Sequence, residues 1–306
     1  MSARSAVARG VTAVLGLPPV AAFSARRWNH HLRVVAYHRV PDRQAFEAQV
    51  AHIAEAYQPV GEAQVRAALA GDAPLPERAV WLTFDDGDPT VVDEGLPVLA
   101  RHGIPATIYV CPGLIEQGAA PWWRIVEVAG GRGRGAEIDG RELVGRQLIP
   151  ALKRVPDAQR RAIVADLEAV AAPDLTDHEA VTVEGLERWV DAGCAVGNHT
   201  WDHPCLDHCD EVEQDAQISS AHEWLVRFQP DHRPTFAYPN GDRTDHAEAT
   251  LEGLGYDVAL LFDHALAAPA GDGLRTSRLR LDSEAPVGRA RAVLSGAHSS
   301  LLGLRG

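Results

Sequence analysis

The sequence is poor in cysteine, with four cysteines among 306 residues. Small secreted domains that depend on disulfides carry a much higher density of cysteine, so this chain is not built on a disulfide framework. Cys205 and Cys209 lie near several histidines, but no second cysteine pair accompanies them and their spacing is not that of a zinc finger. We interpret the four cysteines as ordinary buried or surface thiols rather than ligands of a structural zinc ion.

Long apolar runs and an excess of positive charge are also missing. No stretch approaches the roughly 18 consecutive apolar residues that a membrane-spanning helix needs. The formal net charge of −13 argues against a nucleic-acid partner, which would favour a basic patch. Since 306 residues can bury a full core without disulfides, the chain fits one large α/β domain or two smaller ones. Nothing in the sequence predicts an oligomeric state.

Residues 1–31 form an N-terminal segment that is open to two interpretations. They contain Arg4 and Arg9, a weakly apolar stretch and an Ala-Phe-Ser-Ala sequence similar to a cleavage site. The stretch is short, interrupted by two prolines and followed by further arginines, which favours a peripheral segment over a signal peptide. A cytoplasmic or membrane-peripheral location is therefore expected, and secretion through a weak signal is the alternative.

From residue 32 onward, predicted strands alternate with predicted helices. Short apolar runs, typical of buried strands, occupy 32–40, 79–84, 105–110, 193–198, 235–239, 257–262 and 277–281. Segments with helical periodicity or helix-ending signals occupy 43–57, 94–102, 183–192, 211–228 and 245–253. This alternation predicts a parallel sheet with helices against it, either open or closed into a barrel.

The stretch from 114 to 177 interrupts the alternation, because it contains no strand signal. Residues 130–135 (GGRGRG) are interpreted as a flexible loop, and 149–170 as a strongly charged helix. We interpret about 114–180 as a helical insertion in a single domain that spans 32–306. The Pro-Trp-Trp sequence at 121–123 could line a substrate groove or anchor the core of the insertion.

Three of the predicted strands end in polar sequences: TFDDGD, GNHTWDHP and AYPNGD. Because active sites of parallel α/β folds form at the carboxyl ends of the strands, these three sequences can converge on one mouth.

In the second of them, His199 and His203 are four residues apart, and both rings could reach one ion. Pro204 disfavours a helical conformation at His203, so a turn after the strand is predicted. Without the other two stretches, a pair of surface histidines in a polar loop would explain the pattern equally well.

Asp85 and Asp86 follow a wholly apolar strand and precede Gly87, which allows a sharp turn. Two adjacent carboxylates repel each other unless a cation intervenes. One aspartate could therefore bind a metal ion together with two histidines, while the other acts as a general base toward water. In isolation, Asp-Asp-Gly would be interpreted as a turn that caps the next helix.

The third stretch could complete such a site. A backbone N–H at Asn240 or Gly241 could face a developing oxyanion, and Tyr238 could line the pocket. By itself, however, Pro-Asn-Gly is a common turn sequence.

These stretches, in this order, resemble the polysaccharide deacetylases that share the NodB homology domain. TFDDG is similar to the first motif of that family, HTWDHP matches its His-(Ser/Thr)-x-x-His-Pro motif, and FAYPNG is similar to its third motif. Weaker similarity in AYHRV, HGIPATIYV, GCAVGNHT and LGYDVALLF extends the resemblance over roughly residues 33–282. The resemblance implies a distorted (β/α) barrel of about seven parallel strands and a metal-dependent hydrolase that removes acetyl groups from a carbohydrate or glycoconjugate.

Carried over by position, the resemblance implies Asp85 as the general base and the backbone N–H of Asn240 as part of the oxyanion site. It implies Asp86, His199 and His203 as ligands of a divalent metal ion, usually zinc, with other divalent transition metals possible. Substrate contacts are expected from Tyr238, His38 and Trp122.

The sequence departs from the family pattern at three places. Ala237 stands where many members carry an arginine that orients the catalytic aspartate, and Asn240 stands where many carry a tyrosine. The late Leu-x-His motif, the family's source of the general acid, is missing, and Ser-Arg-Leu-Arg-Leu at 277–281 occupies about that place. His38 and His264 are the replacement candidates for the acid, and His264 is assigned to catalysis here.

Two alternatives follow from the same residues. The departures would also fit a carbohydrate-binding protein that keeps the metal and has lost catalysis, although such a protein has no need of Asp85. Two histidines and one carboxylate also form the site of non-haem iron oxygenases. Those enzymes usually present His-x-Asp on a β-sandwich, whereas Trp201 and the strand–helix alternation are found here.

Overall fold

The computed structural model of this chain describes residues 12, 14–175, 179–268 and 271–299. Its strands, all short, are β1 (Arg33–Tyr37), β2 (Gln58–Pro59), β3 (Ala79–Phe84), β4 (Ala106–Val110), β5 (Gly135–Ile138), β6 (Arg141–Val144), β7 (Ala195–Asn198), β8 (Phe236–Ala237), β9 (Ala259–Leu260) and β10 (Leu279–Arg280). Seven of them form one parallel sheet in the order β10-β1-β3-β4-β7-β8-β9, with the two-residue β2 paired to the start of β3.

This sheet curls strongly. Thr276, which leads into β10, forms a parallel bridge with Leu260 of β9, while β10 itself pairs with β1. The two ends of the sheet therefore approach each other through the last strand. The result is a curled half-barrel of parallel strands with helices around it, which confirms the predicted distorted (β/α) barrel.

Helices alternate with the strands along the chain and surround the sheet. They are α1 (Pro18–Arg27), α2 (Arg43–Ala56), α3 (Glu62–Leu69), α4 (Leu96–His102), α5 (Pro112–Gln117), α6 (Trp122–Gly131), α7 (Leu148–Leu152), α8 (Asp157–Ala171), α9 (Val183–Asp191), α10 (Glu211–Phe228), α11 (Asp245–Gly253) and α12 (Val287–Leu294). The predicted bounds of α10 and α11 are confirmed residue for residue, because both helices begin after a capping side chain. Asp210 accepts the N–H of Glu213, and Thr244 accepts that of Ala247.

The residues of β3 alternate between two apolar environments. Val80, Leu82 and Phe84 pack with the helices in the larger core cluster, whereas Trp81 belongs to a second cluster inside the barrel. Because side chains of a strand point alternately to opposite faces, Asp85 falls on the same face as Trp81. The strand therefore delivers Asp85 to the interior side of the barrel mouth.

The insertion differs from its prediction in three respects. Residues 135–144 form an antiparallel hairpin, β5–β6, in a stretch for which no strand was predicted. The Gly-rich sequence 130–135 is not a free loop, since it ends α6 and begins β5, where Gly130 packs directly against the backbone of Gly145. The predicted helix over 149–170 is in fact α7 and α8, which are separated before Pro156 because proline cannot continue a helix.

The N-terminal helix α1 packs against α12. Ser24 Oγ donates to the carbonyl of Ser295 at 3.0 Å, and Arg291 Nη1 donates to that of Gly16 at 3.0 Å. Within the described part of the chain, no helix has the length and apolar character needed to cross a membrane. The four cysteines are free thiols.

Candidate active site

One cavity of about 490 Å³ at the barrel mouth collects side chains from all three polar stretches. We call it the main cavity. Its lining residues are His38, Asp85, Asp86, Trp123, Ile149, Lys153, His199, His203, Asn240, Phe262 and Arg280. The predicted convergence of strand ends is therefore present in the structure, together with side chains from the insertion.

The paired aspartates separate because the chain turns between them. Asp85 still continues the strand, since its N–H donates to the carbonyl of Tyr37 at 2.9 Å. Asp86 and Gly87 both adopt left-handed backbone conformations, with φ of 72° and 71°. Aspartate tolerates this region better than most residues, and glycine adopts it freely. The turn thus begins at Asp86 itself, one residue earlier than the glycine suggested.

Among the described residues, Asp86, His199 and His203 form a group of side chains that could hold a metal ion. Oδ1 of Asp86 lies 3.3 Å from Nε2 of His199 and 3.4 Å from Nε2 of His203. Ligand atoms about 2.0–2.1 Å from a tetrahedral zinc ion lie about 3.3 Å from one another. The buried Oδ1 of Asp86 has no hydrogen-bond partner among the described residues, and a cation would satisfy it. The residues present therefore fit a divalent ion.

The backbone around the histidines directs both rings into the main cavity. His199 follows β7, and its Nδ1 lies 2.7 Å from the carbonyl oxygen of Ala237. A carbonyl can only accept, so Nδ1 donates and the lone pair of Nε2 faces Asp86. Thr200 and His203 have φ of 68° and 62°, so the segment is a tight turn, as Pro204 indicates, and not a helix.

The charge states of His203 and Asp86 suit the binding of a cation. Burial lowers the pKa of His203 to about 3, so this ring is neutral and offers a lone pair at neutral pH. Burial raises the pKa of Asp86, but its contact with His199 and the nearby rings of His38 and His203 outweigh burial and lower it. For His199, burial lowers the pKa, whereas the carboxylates of Asp85 and Asp86 raise it, with a net upward shift.

Asp85 has a partner that sequence reasoning missed. Arg278 is fully buried and grips both carboxylate oxygens, with Nη1–Oδ1 of 2.7 Å and Nη2–Oδ2 of 2.8 Å. Burial raises the pKa of Asp85, but the charge of Arg278, the proximity of His199 and the bidentate hydrogen bonds outweigh it and lower the pKa. Asp85 is therefore an ionised, oriented carboxylate, and its side-chain hydrogen bonds go to Arg278 rather than to Asp86, His199 or His203.

A signal for Arg278 exists in the sequence. In the stretch 277–281, arginine and leucine alternate, and Leu279 and Leu281 both pack in the outer core cluster. The period of two places Arg278 and Arg280 on the opposite, interior face of the last strand. Strand β1 pairs with both β10 and β3, so an arginine on this face can reach the end of β3 and give Asp85 the partner that Ala237 cannot provide.

Of four further residues predicted for the site, two line the main cavity and two do not. Asn240 lines the main cavity with φ of 57°, and its side-chain oxygen accepts a hydrogen bond from Lys153. His38 is exposed and also lines the cavity. Tyr238 and Trp122 are buried and do not line it. Their polar atoms donate to the backbone carbonyls of Leu274 and His203 at 3.3 and 3.2 Å.

The neighbour of Trp122 takes the expected position instead. Trp123 lines the main cavity, and its ring lies 4.6 Å from that of His203, centroid to centroid. His264 does not line the cavity. Its Nδ1 accepts the N–H of Arg280 at 3.0 Å and its Nε2 lies 2.8 Å from Nδ1 of His298, which gives both nitrogens structural partners.

Comparison with known proteins points to one family. A profile of the polysaccharide deacetylase family matches residues 72–259. A poly-beta-1,6-N-acetyl-D-glucosamine N-deacetylase of Escherichia coli (strain K12) is 25% identical over 255 residues, which cover 78% of this chain and 35% of that protein. The chain thus spans about a third of the length of this relative.

Two solved structures share the fold at low sequence identity. The Streptococcus pyogenes deacetylase PplD in complex with acetate has a TM-score of 0.61 at 17% identity, covering 86% of this chain and 98% of its own. The structure of IcaB from Ammonifex degensii has a TM-score of 0.58 at 20% identity, covering 87% and 97%. At such identities the likeness concerns the fold alone.

Proposed function

This chain belongs to the polysaccharide deacetylase family, and we propose that it is a metal-dependent hydrolase that removes an N-acetyl group from a carbohydrate or glycoconjugate. The observation that carries the proposal is the different surroundings of two adjacent aspartates. Asp86 and two histidines form a group of possible metal ligands. Asp85 lies beside that group and is kept ionised by Arg278, which is 193 residues away in the chain.

Asp86, His199 and His203 would hold the ion, and their two nitrogens and one oxygen suit Zn²⁺. A divalent ion at this position supplies Lewis acidity, which makes water a nucleophile near neutral pH and polarises an acetyl carbonyl.

Asp85 acts as the general base in this proposal and accepts a proton from the attacking water. Arg278 positions both carboxylate oxygens and keeps the group deprotonated in the resting protein. The backbone N–H of Asn240 would donate to the oxyanion, because the left-handed conformation of Asn240 reorients the chain at the edge of the main cavity.

His38 would protonate the leaving amine. It is the histidine in the main cavity that belongs to no ligand group, and it lies close enough to lower the pKa of both Asp85 and Asp86. His264, the other candidate, is engaged with Arg280 and His298 outside the cavity. The proposal therefore moves the acid from His264 to His38.

A binding protein without activity has weaker support. A site that only holds a metal and a sugar gains nothing from a second buried carboxylate, and burying the Asp85–Arg278 pair is costly to the fold. A buried, ionised carboxylate at the barrel mouth is expected of an enzyme that needs a base.

The decisive experiment measures released acetate and bound metal together. Zinc-loaded protein is incubated with N-acetylglucosamine oligomers, and we expect acetate release that a chelator abolishes and added Zn²⁺ restores. His203→Ala should lose both the metal, by elemental analysis, and turnover. His208→Ala, a matched histidine change a few residues away, should lose neither. Absence of acetate release from fully metal-loaded protein on a panel of acetylated sugars would contradict the proposal.

A further inference from the structure

A second cavity, of about 330 Å³, opens beside the main cavity. We call it the side cavity. The two cavities share His38, Phe262 and Arg280 as lining residues, so they adjoin at the barrel mouth. The side cavity is further lined by Ala36, Arg39, Leu281, Asp282, Ser283 and Arg289.

Three arginines converge on the side cavity without acidic partners. Arg39, Arg280 and Arg289 are exposed, and none of them pairs with a carboxylate of the described residues. Elsewhere on the surface, exposed arginines commonly find one: Arg43 pairs with Glu94 and Arg132 with Asp174. Unpaired guanidiniums concentrated in one recess are unexpected in a chain whose net charge is −13.

The lining of the side cavity carries a net positive charge. Asp282 is the acidic residue among its lining residues, against three arginines. One carboxylate oxygen of Asp282 accepts the N–H of Glu284 at 2.9 Å within the local turn. The positive field also reaches His264, whose pKa is lowered to about 4 by burial, by His298 and by Arg280 and Arg289.

The wall of the side cavity is rigidly supported from below. Gln49 is fully buried, and its side-chain nitrogen donates to the carbonyls of Asp282, Ser283 and Ala285 at 2.9, 2.9 and 2.7 Å. Its side-chain oxygen accepts the hydroxyl of Tyr37 at 3.0 Å. These bonds hold the loop after β10 in place, so the recess exists before any ligand arrives.

The positions of two of the arginines are constrained as well. Ser283 Oγ donates to the backbone carbonyl of Arg39 at 2.7 Å, which fixes the chain that carries this side chain. The guanidinium of Arg280 lies 5.3 Å from the ring centroid of Phe262, a cation–π distance. The first contact holds the backbone of Arg39, and the second places the guanidinium of Arg280 itself. The paired N–H groups of a guanidinium match the bidentate geometry of phosphoryl oxygens.

We propose that the side cavity binds a phosphoryl group carried by the acetylated sugar whose acetyl group enters the main cavity. The inference rests on the proposed function and narrows its substrate to a phosphorylated sugar, such as a glycosyl phosphate. Three guanidiniums against one carboxylate leave a charge that a phosphate dianion neutralises, whereas a neutral sugar leaves it unbalanced.

The test is a binding measurement by calorimetry at low ionic strength. N-acetylglucosamine 1-phosphate, N-acetylglucosamine and inorganic phosphate are titrated into the metal-loaded protein. The phosphorylated sugar is expected to bind at least about tenfold tighter than either of the other two, since charge-assisted hydrogen bonds to guanidinium add to the sugar contacts. In the double variant Arg39→Gln/Arg289→Gln, this preference over the neutral sugar should largely disappear. Arg227→Gln, an exposed arginine on α10, should keep it.

Equal binding of the two sugars would overturn the inference, and so would a preference that survives in the double variant, because the phosphate would then bind the metal ion instead. Inorganic phosphate that binds as tightly as the phosphorylated sugar would also overturn it. Because the readout is binding, a protein that shows the expected preference but releases no acetate would contradict the proposed function and leave the phosphoryl site standing.

Discussion

The two ends of the barrel each contain a buried carboxylate beside an arginine, yet the pKa values of the two carboxylates shift in opposite directions. At the mouth, Asp85 pairs with Arg278 and its pKa is lowered. At the amino ends of the strands, Glu62 pairs with Arg66 and burial raises the pKa of Glu62 to about 7. An arginine partner is thus not sufficient to keep a buried carboxylate ionised.

The difference lies in the number of hydrogen bonds that the arginine donates to the carboxylate and in the nearby histidines, since His199 and His38 also lower the pKa of Asp85. Arg278 is fully buried and gives both of its terminal nitrogens to Asp85. Arg66 gives Glu62 one hydrogen bond of 2.9 Å and shares its guanidinium with Asp257 and with the carbonyl of Arg233. The weaker hold does not compensate the desolvation of Glu62. The geometry therefore makes Asp85 a base that is ready at neutral pH, and Glu62 a group close to its titration point.

The largest difference should appear when each carboxylate is made neutral. Asp85→Asn is expected to lower kcat/KM by about 10²–10⁴-fold, the range typical of a lost general base, while metal content stays that of the unaltered protein. Glu62→Gln, the matched change at the other end, should keep turnover. Steady-state deacetylation and elemental analysis measure the two quantities. If Asp85→Asn also lost the metal, the assignment of separate roles to Asp85 and Asp86 would be wrong.

Replacing Arg278 or Arg66 should lower the free energy of unfolding by different amounts. Arg278→Gln leaves a buried carboxylate unpaired and should destabilise the fold by about 3–5 kcal/mol in chemical denaturation at neutral pH. Arg66→Gln should cost less, because Glu62 can take up a proton near pH 7 and avoid a buried charge.

Two further readouts separate the positioning role of Arg278 from general damage. The double variant Asp85→Asn/Arg278→Gln should recover part of the lost stability, since no unpaired charge remains. Any residual activity of Arg278→Gln should have an acidic limb shifted to higher pH, because the pKa of Asp85 rises when its cation is lost. An unshifted acidic limb would argue that Arg278 does not control the ionisation of Asp85.

The smallest effect concerns the pH dependence of stability at the Glu62 end. The pKa of Glu62 rises from an unfolded value of 4.5 to about 7 in the fold. Between these two pH values the folded protein therefore holds a proton that the unfolded chain has released. The contribution of Glu62 to the free energy of unfolding falls as pH rises from about 4.5 to 7, by up to about 3 kcal/mol. Glu62→Gln should flatten that part of the curve of unfolding free energy against pH. A slope unchanged by the substitution would show that other groups produce it.

The candidate ligand group of Asp86, His199 and His203 was predictable because its signals in the sequence are local. An apolar strand directly precedes Asp85 and Asp86, and four residues separate His199 from His203. Both features can be recognised within a few residues of the sequence, and the structure brings Asp86 and the two histidines together. The parallel sheet was predictable for the same reason, since each strand and helix has its own apolar period and caps.

Residues whose function depends on a distant partner were harder to predict. Trp122 and Trp123 are adjacent and chemically alike, and only the packing of α6 decides that Trp123 faces the main cavity. The hairpin β5–β6 escaped prediction because each of its strands has four residues and neither shows a regular apolar alternation.

By itself, the sequence determined the strand–helix alternation, the three strand ends that meet at the mouth, and the side chains able to hold a metal ion. These follow from patterns within a few residues, where geometry is set by backbone periodicity. The tertiary structure alone decided that Arg278 grips Asp85, that His38 and not His264 lines the main cavity, and that three unpaired arginines share one recess. Each of these depends on contacts between segments far apart in the chain, which exist only once the sheet has curled.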